Sequence, residues 1–168
     1  SFVSYLRQRV FDPLGIERAN EMNGLAPDPN AETRRYDGLL NAQPIDLAIL
    51  GIGPWSDITQ SGCHIAFNES GTPFSSRTHV AELNEVTVMR DRQERGQDTP
   101  GRALTQGIGN ILEANQIYLI AYGANKGVSL RQALYGEIGI QRPASALREQ
   151  GQKVKIFIDE TAASQFSL

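Results

Sequence analysis

Residues 45–53 read IDLAILGIG, a short apolar run that ends in two closely spaced glycines. A continuous apolar segment of this length, followed by glycine, is typical of a strand buried in a parallel sheet. Apolar segments at 116–121 and 153–159 repeat the pattern farther along the chain. Segments with helical features separate these three predicted strands. Because strands that alternate with helices form parallel sheets covered by helices, the sequence predicts a single α/β domain over residues 1–168.

Five segments carry the apolar spacing or the end signals of helices. They are residues 2–14, 30–41, 99–112, 125–135 and 143–149. Pro13 and Gly15 end the first helix, and Asn30 caps the second. Thr99 caps the third, with Pro100 in its first position, and Gly136 is the C-cap of the fourth. His79 lies in a further predicted strand, where a structural role is expected. Residues 54–76 contain no periodic segment and are predicted to form a long loop. Long ordered loops in compact domains are usually functional, so we expect chemistry in this segment.

The composition is that of an ordinary globular protein. Hydrophobic residues make up 40% and charged residues 21% of the 168 residues, enough for one domain with a packed core. The net charge of -3 provides no basic surface for nucleic acid or for an anionic membrane. No apolar run approaches the roughly 20 residues that cross a bilayer. Because Cys63, the single cysteine, cannot form an internal disulfide, we expect a reducing, cytoplasmic setting.

Two segments follow the carboxyl ends of predicted strands, where ligands bind in parallel sheets. The first contains His64 and Glu69. An imidazole can take or give a proton near neutral pH, and a carboxylate within hydrogen-bond reach would orient the ring. A loop histidine with a structural hydrogen bond is the alternative. The pair is therefore a candidate for acid–base catalysis.

The second segment contains Lys126, at the predicted start of a helix that follows a strand. Backbone N–H groups and the helix dipole attract an anion at such a position, and an ammonium group adds to that attraction. A solvated surface lysine is the alternative. Lys126 is therefore a candidate ligand for a phosphate.

Other charged and nucleophilic residues are weaker candidates. Arg77, Arg90 and Arg92 could each hold a phosphate through a bidentate fork, or could be surface charges. Cys63 lies beside His64, but neighbouring side chains rarely have the geometry that activates a thiolate. Two histidines and one cysteine lack the spacing of metal ligands, and residues 51–53 are too short for a dinucleotide fingerprint. The sequence therefore predicts no metal and no cofactor.

Several ordered motifs resemble those of the glucosamine-6-phosphate deaminases, whose signature is roughly GIGxDGHIAFNEPG followed by SRT. The resembling segments are 50–54 (LGIGP), 62–71 (GCHIAFNESG), 76–78 (SRT), 103–109 (ALTQGIG) and 123–126 (GANK). The resemblance runs from Ser1 to about Thr161, nearly the whole chain. The related 6-phosphogluconolactonases have a different stretch after the histidine, which ends in Leu-Phe-Pro. This chain has FNE at 67–69 instead.

The resemblance implies a Rossmann-like parallel sheet flanked by helices and incomplete at its N-terminus, corresponding to the C-terminal two-thirds of the family's domain. It also implies a reaction. The family opens the ring of an amino-sugar phosphate, shifts a proton between carbons 1 and 2, and releases ammonia to leave a ketose phosphate. No metal or cofactor takes part. A sugar phosphate is therefore the expected partner, and self-association into a homo-oligomer is also expected.

The resemblance assigns roles to individual residues. His64 would serve the ring oxygen during ring opening, and Glu69 would support His64. Lys126 would hold the sugar phosphate, with Arg90 or Arg92 as a helper and Arg77 as a further candidate for substrate binding. Gly51 and Gly53 would let the backbone approach the sugar closely.

The chain departs from the family pattern beside the histidine. The family places Asp-Gly directly before it, whereas Gly62-Cys63 stands there in this chain. Residues 55–61 are an insert, and we expect its Asp57 to replace the missing carboxylate. The family also carries a further N-terminal portion, which holds a phosphate loop and an aspartate that moves the carbon-bound proton. We therefore expect little or no catalysis by the 168 residues alone, and exposed apolar edges that favour association.

Three functions stay open at this level. The first is an amino-sugar phosphate deaminase or a related aldose–ketose isomerase. The second is a hydrolase similar to the 6-phosphogluconolactonases, against which the FNE stretch argues. The third is a non-catalytic sugar-phosphate sensor, with which the altered residue at Gly62 agrees.

Overall fold

The computed structural model describes residues 2–95 and 100–164. Its helices are α1 (Phe2–Leu6), α2 (Pro29–Ala42), α3 (Glu85–Arg95), α4 (Ile108–Leu112), α5 (Gly127–Tyr135) and α6 (Glu160–Ala163). Its strands are β1 (Leu47–Leu50), β2 (Trp55–Ser56), β3 (Ser61–Gly62), β4 (His79–Glu82), β5 (Arg102–Thr105), β6 (Gln116–Ala121) and β7 (Val154–Ile158). A π-helical segment, Arg7–Phe11, continues α1. Short 3₁₀ helices span Ala124–Lys126, before α5, and Pro143–Lys153, before β7.

A parallel sheet in the order β1-β6-β7 forms the centre of the fold. Its strands are the three apolar segments that the sequence marks, so the predicted α/β class with a parallel sheet is confirmed. The middle strand β6 buries alternate residues, Ile117, Leu119 and Ala121. Helices α4 and α5 add further apolar side chains, including Ile108 and Leu130, to the same core. The carboxyl ends of β1 and β6 therefore lie side by side, which brings together the loops that follow them.

The predicted helix over 99–112 is wrong in its first half. Arg102–Thr105 is the strand β5, which pairs antiparallel with β4, and only Ile108–Leu112 is helical. Gly107 separates the two elements where the chain passes close to the backbone carbonyls of Ser76 and Arg77, which a Cβ on Gly107 would overlap. The apolar spacing over residues 99–112 fits one long helix, and it also fits a strand followed by a short helix. Pairing with β4 favours the strand followed by a short helix. Thr99 lies outside the described residues.

The start of α2 also differs from its prediction. The cap is Asp28 and not Asn30, because the Asp28 carboxylate accepts hydrogen bonds from the backbone N–H groups of Asn30 and Ala31, at 2.9 and 3.0 Å. Pro29 takes the first helical position, where its missing N–H costs nothing.

The ends of two other helices were also predicted. Gly136 is the C-cap of α5, as predicted. The predicted helix at 143–149 is instead a 3₁₀ helix that runs to Lys153, with non-helical backbone at Gly151.

In the described part of the chain, no helix combines the length and the apolar character needed to cross a bilayer.

One face of β1 is open to solvent. Leu47 and Ile49 are 42% and 64% exposed, whereas Ala48 and Leu50 pack into the core on the opposite face. Parallel sheets are normally covered on both faces, and apolar side chains exposed along a strand favour association.

We predict that the chain of these 168 residues self-associates through this face and that Ile49→Lys reduces the association, because a lysine there opposes burial. Sedimentation velocity at micromolar concentration measures the effect. The matched control is Ile58→Lys, since Ile58 is 96% exposed on an isolated hairpin loop. Equal association of both variants and the parent chain would contradict the prediction.

Candidate active site

The loop after β1 places the His64 ring against the main chain at Gly53, which has no side chain. The Gly53 N–H donates to the His64 carbonyl at 2.8 Å, and the Cys63 N–H donates to the Pro54 carbonyl at 2.8 Å. A Cβ on Gly53 would overlap the Cε1, Nδ1 and Nε2 atoms of the His64 ring. Glycine is therefore required at position 53 so that the imidazole can lie on the main chain. The approach of this backbone to a sugar stays a prediction, as it does for Gly51, which is exposed with open space around it.

His64 and Glu69 face each other across a tight turn. The His64 Nδ1 lies 3.4 Å from the Glu69 Oε2, and the two side chains are 16% and 12% exposed. This separation is longer than an ordinary hydrogen bond, as is common at catalytic pairs without a bound substrate. The buried Asn68 amide holds the turn by donating to the carbonyls of Ile65 and Gln106, each at 2.9 Å. The structure thus brings together the acid–base pair that the sequence indicates.

The start of α3 and the residue before it contact both oxygens of the Glu69 carboxylate. The Thr87 hydroxyl donates to Oε1 at 2.6 Å, and the Asn84 amide donates to Oε2 at 2.7 Å. Burial alone would raise the pKa of Glu69, but the hydrogen bonds from His64 and Thr87 outweigh it and hold the pKa below its ordinary value. Glu69 is therefore a carboxylate at neutral pH.

Sequence reasoning missed both α3 contacts, because it assigned no element to α3. One signal was present in the sequence. Asn84 stands three residues before Thr87, and its Oδ1 accepts from the Thr87 N–H at 2.8 Å. This is the side-chain cap that starts many helices.

Lys126 joins the same group of residues from the loop after β6. Its Nζ donates to the Ile52 carbonyl at 2.7 Å, directly beside Gly53. The turn before it depends on Gly123, whose φ is 93° and whose N–H donates to the Asp159 carboxylate at 3.0 Å. The two loops that the sequence marks as candidate ligand sites therefore meet, with the ammonium group on Ile52 and the imidazole on Gly53.

The insert at 55–61 forms most of a β-hairpin, since Trp55 pairs with Gly62 and Ser56 with Ser61. The Arg142 guanidinium stacks on Trp55, 4.6 Å from the ring centroid. Asp57 lies exposed in the hairpin loop, and its Oδ1 accepts from the Trp55 indole at 2.9 Å. Within the described residues, no hydrogen bond or ion pair joins Asp57 to His64. Its replacement of the family's aspartate therefore stays a prediction.

The hairpin also explains why no aspartate stands at position 62. Gly62 has a φ of 140°, and a Cβ there would overlap the Pro54 carbonyl and crowd the Trp55 Cα. The backbone pairing that builds the hairpin thus excludes any side chain at this position. Cys63, which follows, has a φ of 60°, a left-handed conformation that glycine adopts more easily. In this chain Cys63 occupies the place of the glycine that precedes the histidine in the family pattern.

Within the described part of the chain, Arg77 and Arg92 form no hydrogen bond or ion pair with His64, Glu69 or Lys126. Arg77 donates to Glu113 at 2.5 Å and to Asn41 at 2.6 Å, and its Nε lies 3.4 Å from Asp37. The Glu113 hydrogen bond is the main cause that raises the Arg77 pKa. These contacts join α2 to the end of α4, so the structure uses the guanidinium for packing. Arg92 is exposed on α3.

A role for Arg77 or Arg92 in substrate binding stays a prediction. The side chain of Arg90 lies outside the described residues.

Glu69 also lines an open cavity of about 580 Å³, together with Thr72, Ser76, Arg77 and His79. His64, Gly53 and Lys126 are not among its lining residues. Within residues 2–95 and 100–164, no group of three or more His, Cys, Asp and Glu side chains is arranged to hold a metal ion.

Cys63 lies beneath the site with no exposed surface, and its thiol donates to the Ser129 carbonyl at 3.2 Å. Burial raises the pKa of the Cys63 thiol to about 12. We expect the native protein to resist Ellman's reagent at pH 8 and to release one equivalent of thionitrobenzoate per chain in denaturant. Rapid reaction of the folded protein would contradict this burial and reopen a nucleophilic role.

We predict that Gly53→Ala displaces the His64 ring, because the added methyl group would occupy its place. The two histidines make ¹H–¹⁵N imidazole spectra simple to assign, and we expect the His64 signals to move while those of His79 stay. The matched control is Gly51→Ala, where the methyl group meets open space. Unchanged His64 signals in Gly53→Ala would show that the ring does not rest on this backbone.

Comparison with known proteins agrees with this geometry. No protein-family model matches the chain. The glucosamine-6-phosphate deaminase of Bacillus cytotoxicus is 40% identical over 166 residues, and that of a Bacillus cereus strain is 39% identical. Each alignment covers 98% of this chain but 60% of the relative, so the chain spans about 60% of the length of these relatives.

Solved structures give the same result. A monomeric glucosamine-6-phosphate deaminase of the NagB superfamily superposes with a TM-score of 0.87 at 37% identity, over 99% of this chain and 68% of that one. The 6-phosphogluconolactonase of Trypanosoma cruzi superposes with a TM-score of 0.60 at 16% identity, which shows a shared fold alone. With the His64–Glu69 pair, the Lys126 contact and these relatives taken together, the chain belongs to the glucosamine-6-phosphate deaminase family.

Proposed function

We propose that this chain supplies the ring-opening and phosphate-binding groups of a glucosamine-6-phosphate deaminase. The reaction converts glucosamine 6-phosphate and water to fructose 6-phosphate and ammonia. The observation that carries the proposal is one continuous contact path, in which Lys126 binds the Ile52 carbonyl and His64 rests on Gly53 and faces Glu69. The relatives named above carry the same activity in their names.

The ionised Glu69 determines which nitrogen of His64 can act. A carboxylate facing Nδ1 holds a proton on that nitrogen, and Nε2 is then the basic atom that exchanges protons with a substrate. During ring opening, the C1 hydroxyl loses its proton, the bond between C1 and the ring oxygen breaks, and the ring oxygen gains a proton. His64 carries out the transfer to the ring oxygen, and Glu69 acts only through His64.

The later steps balance without a cofactor. When the C2 proton moves to C1 and a proton passes from the amine to the C1 oxygen, the open-chain aldehyde with a C2 amine becomes a ketose imine with a C1 hydroxyl. Water then hydrolyses the imine to a ketone and ammonia. The described residues include no group that we assign to the carbon-bound proton.

Lys126 is the group that we assign to the substrate phosphate. Its ammonium group is held beside the loop that carries His64 and at the N-terminus of α5, where the helix dipole also favours an anion. We also propose a cytoplasmic location. A phosphorylated sugar does not cross a bilayer unaided, and the single Cys63 cannot form an internal disulfide.

A sugar-phosphate sensor is the second candidate, and one observation favours it. The carboxylate expected to replace the missing family aspartate, that of Asp57, accepts a hydrogen bond from the Trp55 indole. A protein with an incomplete acid–base set can retain phosphate binding without turnover.

The test measures ammonia release from glucosamine 6-phosphate by the product of the full open reading frame that contains these residues. We expect release, and we expect His64→Ala to lower kcat by about 10²- to 10⁴-fold, the usual contribution of a general acid–base group. Lys126→Ala should mainly raise KM, since it removes binding of a group that does not react. The 168 residues alone should show little or no turnover.

His79→Gln is the matched control, because the described contacts of His79 include none with His64, Glu69 or Lys126. Its kcat should stay within a few-fold of the parent value. Full ammonia release by His64→Ala would overturn the assigned mechanism. Absence of ammonia, together with a rise in Tm when glucosamine 6-phosphate is added, would favour the sensor.

A further inference from the structure

We propose that Asn84 and Thr87 are positioning residues that keep Glu69 charged and aimed at His64. The inference rests on the proposed function, since it concerns the same acid–base pair. Neither residue belongs to the motif that contains the pair. They lie 15 and 18 positions beyond Glu69 and reach it through the fold.

The contacts cover both oxygens of one carboxylate. Thr87 donates to Oε1 at 2.6 Å, and Asn84 donates to Oε2 at 2.7 Å. Oε2 is also the atom that faces the His64 Nδ1. Because an ionised carboxylate only accepts hydrogen bonds, two donors aimed at it favour its charged form.

The orientation of the Asn84 amide follows from its second contact. Its Oδ1 accepts from the Thr87 backbone N–H at 2.8 Å, so its Nδ2 is the atom directed at Glu69. One amide therefore caps α3 and holds the carboxylate. Thr87 is 6% exposed, so water does not readily replace its hydroxyl if that group is removed.

Among the described residues, His64 is the one side chain that forms an ion pair with Glu69. His64 approaches from the same loop at 3.4 Å. Glu85 lies in the first turn of α3, and Arg77, His79 and Glu82 lie along the cavity that Glu69 lines. Within the described part of the chain, none of these four forms an ion pair with Glu69.

The effect on pH dependence has a definite sign. Activity needs the ionised form of Glu69, whose pKa is held below its ordinary value. Removing a donor leaves the burial that raises this pKa and takes away part of what lowers it. The pKa of Glu69 must then rise, because Glu69 gains its proton at a higher pH as the pH falls.

Two pairs of variants separate positioning from folding. Thr87→Val removes the hydroxyl at nearly constant volume, and Thr87→Ser restores a hydroxyl. The matched control is Thr33→Val, because Thr33 is equally buried, at 5% exposed, and its hydroxyl donates to the Asn30 carbonyl in α2. Asn84→Asp keeps a good helix cap but replaces the amide donor with an oxygen that repels Glu69.

We expect the pKa of Glu69 to rise in Thr87→Val and to rise further in Asn84→Asp. We also expect both variants to lower kcat for ammonia release more than they change KM, since Glu69 acts only through His64. Thr87→Ser and Thr33→Val should keep the parent pKa and kcat. A role in folding alone predicts instead that Asn84→Asp is neutral and that Thr87→Val resembles Thr33→Val, with lower Tm and an unchanged Glu69 pKa.

A direct titration keeps this test independent of the proposed function. Carboxyl ¹³C NMR of Glu69 reports its pKa whether or not the protein releases ammonia. A higher Glu69 pKa in folded Thr87→Val and Asn84→Asp supports the inference even for a sensor. An unchanged Glu69 pKa in both folded variants overturns it. Absence of ammonia from the parent, by contrast, counts against the deaminase alone.

Discussion

The contact between Gly53 and the His64 ring is the constraint on which the rest of the site depends. A backbone hydrogen bond at 2.8 Å ties the two residues, and the missing side chain at position 53 makes room for the imidazole. The neighbouring carbonyl of Ile52 then binds Lys126, and the turn after His64 brings Glu69 to the Nδ1 atom of the ring. The end of β1, the loop that contains His64 and the loop that contains Lys126 thus meet at residues 52–53.

The hairpin shows how an insert can reshape the motif beside His64. Trp55 pairs with Gly62, and this pairing leaves no space for a side chain at position 62. The carboxylate that precedes the histidine in the family pattern is therefore incompatible with this backbone. Cys63, which follows Gly62, takes a left-handed φ of 60° and buries its thiol against Ser129. The His64 ring nevertheless keeps its place on Gly53.

The charge at Glu69 is favoured by hydrogen bonds from His64, Thr87 and Asn84. A carboxylate that is 12% exposed loses most of its hydration, and the donors of α3 replace it. Arg77, the nearest arginine in the sequence, is instead used by Glu113, Asn41 and Asp37.

The sequence by itself determined the three parallel strands, the His64–Glu69 pair and the position of Lys126 at a helix start. These features depend on local patterns, namely apolar runs, glycine after a strand and residues close together in one loop. Only the tertiary structure decided that residues 102–105 form a strand, that Arg77 serves packing, that Asp57 binds Trp55, and that Asn84 and Thr87 hold Glu69. Each of these depends on which segments meet in space. A strand partner or a donor far along the chain leaves no periodic trace in the segment that it contacts.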